Sequence, residues 1–221
     1  MHLVTSRLQS ATPTNIVAPS NLVSKASEQP CADHQMLVCF DSHRWNVLQE
    51  DGYPACVIDC EPGRSLARLL NADDALVARI EKKRILSSTY HINLAIGRGA
   101  ETISKATLTC RAERATGVLS VFQIKIRHRA SGSVTLFRWI CISSNEWWLV
   151  QCDSDEPLDM RSLNIIGQFL SNGTNSGILS FRRLACPAHA SIFTITIAYL
   201  KSNHINLLDA LSLTSRNLNI I

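Results

Sequence analysis

The sequence predicts a mainly β fold, an antiparallel sandwich or barrel of about eight strands, and three observations carry that expectation. From 118 to 128 one parity reads Val118, Ser120, Phe122, Ile124, Ile126 while the other ends Gln123, Lys125, Arg127, the period-2 pattern of a half-buried strand. After the turn Ala130-Ser131-Gly132-Ser133, the run 134–143 is apolar on both parities, as in a strand covered on both faces. A second tight turn, Ser144-Asn145-Glu146, leads into Trp147-Trp148-Leu149-Val150, and connections this short leave no room for a parallel crossover.

Taken in order, residues 1–30 are rich in Ser, Thr and Pro and show no sustained periodicity, so they are expected to form a flexible arm. Arg7 and Lys25 with no acid before Glu28 leave an organelle transit peptide as the alternative. Residues 31–89 read as a small α/β elaboration. In it 36–40 and 56–59 are short strands around a polar loop, and 64–70 and 73–86 are helical, with Asp73 as N-cap and Lys82, Lys83 and Arg84 complementing the C-terminus. Residues 90–201 form the β domain. Its strands are expected at 90–96, 102–112, 118–128, 134–143, 147–152, 163–170, 178–184 and 191–200, the last from the alternation of Phe193, Ile195, Ile197 and Tyr199 with Thr194 and Thr196. Residues 202–221 are expected to hold a short helix and a polar tail.

At 221 residues the chain is long enough to bury its own core. A net charge of +4 is compatible with a polyanionic partner without demanding one. Eight cysteines are too sparse for a disulfide scaffold, and with no secretion signal they read as reduced thiols, placing the protein in the cytoplasm or a virion. No run reaches the ~18 apolar residues of a membrane span.

Candidate chemistry is thin. Cys31, His34, Cys39 and His43, with Cys56 and Cys60 beyond, are the densest set of zinc-type ligands, but their spacing matches no paired template and Cys39 sits in an apolar run. Cys110 or Cys141 with His91 or His128 is the thiol–imidazole combination a nucleophilic enzyme needs, yet no local nucleophile signature surrounds either cysteine. Gly97-Arg98-Gly99 lacks the third glycine of a dinucleotide loop and reads as a turn, and Asp153, Asp155, Glu156 and Asp159 lack the order of a calcium loop and read as a solvated strand connection. No catalytic residue, metal or cofactor is assigned.

Lys125, Arg127 and Arg129 share one parity and form a basic stripe that Arg182 and Arg183 extend if their strand is a neighbour. Two non-enzymatic readings follow. Eight strands behind a loose leader are similar in outline to the jelly-roll coat proteins of small icosahedral viruses, which implies a homo-oligomeric shell subunit. The adjacent strands of 118–152 run against that outline, because jelly-roll strands switch sheets. The alternative is a module that binds nucleic acid or an acidic protein through the basic face.

Overall fold

Strand pairing in this chain closes on itself. The computed structural model describes residues 34–217 apart from residues 42, 62–65, 83–88, 96–98, 112–119, 157, 160–161, 174, 183 and 185. Among these are twelve strands: β1 (His34–Phe40), β2 (Arg44–Leu48), β3 (Pro54–Glu61), β4 (Leu66–Asn71), β5 (Leu76–Glu81), β6 (Thr89–Leu94), β7 (Ile103–Arg111), β8 (Ser120–His128), β9 (Val134–Cys141), β10 (Glu146–Cys152), β11 (Asn164–Ser171) and β12 (Ser176–Phe181). Each strand pairs antiparallel with the next, and β1 pairs with both β2 and β12, so the meander becomes a closed barrel without free edges. A short 3-10 helix (Ala100–Thr102) precedes β7, and among the described residues one α-helix, α1 (Pro187–Asn217), follows β12.

The outline expected from the sequence survives only coarsely. The described residues are mainly β and their strands are all antiparallel, but they form a twelve-strand barrel, not an eight-strand sandwich of jelly-roll type. The α/β elaboration expected over 31–89 is instead the wall β1 to β5 of the same barrel, and the two helices expected there are β4 and β5. Ala67 and Leu69, and Ala78 and Ile80, alternate into the core, so the period that governs these segments is 2 and not 3.6. Asp73 is a turn residue: Asn71 Oδ1 accepts from the Asp73 and Ala75 backbone N–H groups, and Asp74 takes φ 58°. The arm at 1–30 lies outside the described residues.

The largest correction concerns 191–200, expected as a strand and found within α1. A β-rich composition is tolerated in a helix when the tertiary environment outweighs propensity, and here the barrel surrounds the segment. Ile192 through Leu200 are all buried, including Thr194 and Thr196. The Thr196 hydroxyl donates to the Phe193 carbonyl at 3.0 Å and accepts from Trp139 Nε1 at 3.0 Å, so both polar groups are satisfied in the interior.

The helix packs against β3, β4, β5 and β7, three of which present alanines inward, Ala67, Ala78 and Ala106. On the remaining wall Trp45, Phe122, Trp139, Trp147, Phe169 and Phe181 fill the space. Gly167 and Gly177 make room for them, since a Cβ at Gly167 would stand 2.7 Å from the Phe181 ring, and one at Gly177 would stand 2.7 Å from the Phe169 ring and the Leu170 carbonyl. The interior is thus a packed core occupied by the chain's own helix, and what the molecule offers a partner lies outside it.

Candidate anion-binding site

Inward placement of Ala106, Leu108, Phe122, Ile124 and Ile126 forces the other parity of β7 and β8 outward. That parity carries Lys105, Thr107, Lys125 and Arg127, with Thr107 opposite Lys125 and Lys105 opposite Arg127. A bulge between Ile103 and Lys105 sets this register, and Ser104 Oγ donates to the Arg127 carbonyl at 3.1 Å. Beyond β8 the Arg129 N–H donates to the Thr102 carbonyl at 2.7 Å, which pins the turn against the start of β7 and brings Arg129 to the same corner.

These cations differ from the others on the strands. Arg44 meets Asp59 at 3.9 Å, Arg68 meets Glu61 at 3.6 Å, Arg79 meets Glu81 at 3.4 Å, and Lys125 meets Asp155 at 2.8 Å. Lys105, Arg127 and Arg129 are exposed and have no carboxylate partner among the described residues. Like charges directly opposite on neighbouring strands destabilise a sheet by a few tenths of a kcal/mol to about 1 kcal/mol, so the Lys105–Arg127 pairing has no structural benefit of its own.

A cleft adjoins the corner. β6 and β7 pair from Thr89–Thr109 to Ile92–Ala106 and then separate, Leu94 continuing alongside Ala78 of β5 while Ile103 turns to His128 of β8. The opening has a volume of about 400 Å³, with Ile92, Leu94, Ile103 and Ala106 among its apolar lining and His91, Asn93, Ser104, Lys105 and Arg129 as its polar groups. Asn93 Nδ2 donates to Glu81 Oε1 at 2.7 Å and Arg79 faces the same carboxylate, so Glu81 is already engaged; Glu101, next to the lining residue Ala100, accepts from the Gly99 N–H at 3.2 Å.

Of the residues singled out from sequence, Arg127 and Arg129 stand at this corner. Lys125 is beside it, but its ammonium is held by Asp155, which also accepts from Gln123 Nε2 and lies 3.8 Å from the Arg138 guanidinium. The acidic turn after β10, expected to be merely solvated, therefore folds back over β8 and β9. Arg182 does not extend the stripe, because β9, β10 and β11 separate β12 from β8; Arg183 lies outside the described residues. Sequence reasoning misses two groups. Lys105 is invisible to it because only strand pairing brings that residue opposite Arg127. Arg138, fully buried between Gln123 and Val150, carries a signal as the single cation in the apolar run 134–143.

The other constellations come apart. His34 opens β1 and His43 follows its far end, while Cys39 has the outward parity of its strand and Cys60 belongs to the core; Cys31 lies outside the described residues. Among the described residues no three His, Cys, Asp or Glu side chains gather as a metal site. Cys141 and His128 sit at opposite ends of the barrel, and burial pushes the Cys141 thiol up to about 11, the reverse of activation. Cys56 and Cys60 are likewise pushed up by burial, to about 12 and about 11. At the end where α1 begins, His189 is buried against Phe137, Phe193 and His128, and burial, with His128 beside it, lowers its pKa to about 4.

No protein-family model matches the chain, and no curated protein matches it. Among solved structures it is similar to the X-ray structure of a protein from Arabidopsis thaliana, AT5G01750, at 13% identity and a TM-score of 0.44, over 78% of this chain and 94% of that one.

Proposed function

We propose that this barrel is a non-enzymatic binding module that holds a nucleic-acid strand by its phosphates at the corner formed by Lys105, Arg127 and Arg129. The observation that supports the reading is the concentration there of cations without a carboxylate partner among the described residues, where the other described strand cations mostly face a carboxylate. Cations set directly opposite one another cost stability in the free protein, and a phosphate backbone laid across them removes that cost while releasing counterions. The filled interior favours a role for the outer surface, and a meander barrel lends nothing to the shell-subunit expectation, which rested on a jelly-roll outline.

Fluorescence anisotropy of a labelled single-stranded oligonucleotide between 50 and 200 mM salt tests the reading. About three phosphate contacts give a slope of log affinity on log salt near −2 for a single strand. Replacing Lys105, Arg127 and Arg129 together by glutamine should abolish most of that slope while leaving the melting temperature unchanged or raised. Binding that ignores both salt and the triple variant would overturn it. Preference for an acidic peptide over the oligonucleotide would assign the corner to protein partners instead, and light scattering on the same sample reports the oligomer.

A further inference from the structure

We propose that the opening between β6 and β7 is the seat of a terminal phosphate, so that the corner holds the end of a strand and not only its backbone. This rests on the reading of Lys105, Arg127 and Arg129 as a nucleic-acid face. The geometry separates the two kinds of phosphate. A phosphodiester within a strand carries one charge and has a sugar on each side, so it reaches an outer face more readily than the floor of a recess.

A terminal phosphomonoester carries a charge of about −1.5 to −2 at pH 7 and three acceptor oxygens on a group bonded to the chain at one side only. The recess is built for such a group. Two of the three unpartnered cations, Lys105 and Arg129, are on its wall, and Arg129 supplies a planar fork that suits phosphate oxygens. Asn93 adds a polar amide to the wall, and the nearby Glu81 is turned to Arg79 and Asn93, which lessens its repulsion of an anion. A volume of about 400 Å³ falls in the range of small-ligand sites, enough for a phosphate with part of its nucleoside. Arg127 pairs across from Lys105 on the side away from β6, so the strand's next phosphate passes from the recess onto β8.

The test uses the full chain and one short single-stranded oligonucleotide made in three forms, with a phosphate at the 5′ end, at the 3′ end, or at neither. One of the phosphorylated forms should bind roughly tenfold tighter than the unphosphorylated form, the worth of one added charge-assisted contact. Nucleoside monophosphate should compete away that advantage. Ala100, just before β7, also lines the recess, and Ala100→Phe fills it without removing a charge. It should erase the end preference and leave the affinity of the unphosphorylated form as it was, with an unchanged melting temperature showing that the barrel is intact. Equal affinities for all three forms would overturn the seat and leave the basic face standing. Should no oligonucleotide bind, the reading of the face falls, and calorimetry with a nucleoside monophosphate alone then decides the recess: saturable binding abolished by Ala100→Phe supports it, and no binding overturns it.

Discussion

The bond between Trp139 and Thr196 ties the barrel wall to the helix inside it, and its removal has a calculable cost. Trp139 on β9 and Thr196 on α1 are both fully buried, with the indole N–H donating to the hydroxyl at 3.0 Å. Thr196→Val keeps the β-branched shape and removes the acceptor, leaving a buried N–H unsatisfied at a cost of about 1–3 kcal/mol. For a chain of this size each kcal/mol lowers the melting temperature by about 2–4 °C, so the expected drop is about 2–12 °C. Because either substitution also disturbs packing, the decisive assay is a double-mutant cycle with Trp139→Phe, read by thermal or denaturant unfolding. Once the indole is gone, Thr196→Val should cost at least about 1 kcal/mol less than in the native background. Additivity within about 0.5 kcal/mol would refute the contact, and with it the placement of residues 192–200 inside the barrel.

Two further outcomes follow from burial and face assignment. His189 is neutral in the fold, with a pKa lowered to about 4, and binds a proton at its ordinary value of about 6.5 when unfolded. Its contribution is therefore complete above pH 6.5 and lost as pH falls toward 4, so His189→Phe should gain melting temperature relative to the native protein between pH 6.5 and 4; a constant difference over that range would contradict it. Ile124 faces the core and is fully buried, whereas Lys125 points outward to Asp155. Ile124→Asp should abolish the cooperative unfolding transition and Lys125→Asp should retain it, and comparable melting curves for the two would reverse the faces assigned to β8.

The meander of β8, β9 and β10 is legible in the sequence because its alternation is clean and its turns carry Gly, Ser and Asn. β4 and β5 are not, since Leu69-Leu70 and Leu76-Val77 put apolar residues on both parities and Asp73 imitates an N-cap. The helix is hidden for a different reason: Ile, Thr and Phe are strand formers, and only the surrounding wall, which no local window contains, makes a helix buried all round over 192–200 favourable there. At the candidate site, Arg127 and Arg129 are visible as a stripe on one parity. Lys105 and the recess arise from how β6, β7 and β8 pair, and the loss of Lys125 to Asp155 depends on a turn thirty residues away folding back.

Hydrogen exchange on the intact chain addresses the architecture most directly. A helix enclosed by twelve strands opens only when the barrel does, so the amides of residues 192–200 should exchange as slowly as those at the centres of β8 and β9, at the rate of global unfolding. Exchange of 192–200 as fast as that of the exposed turn 130–133 would place this segment outside the wall and contradict the enclosed helix on which the account depends.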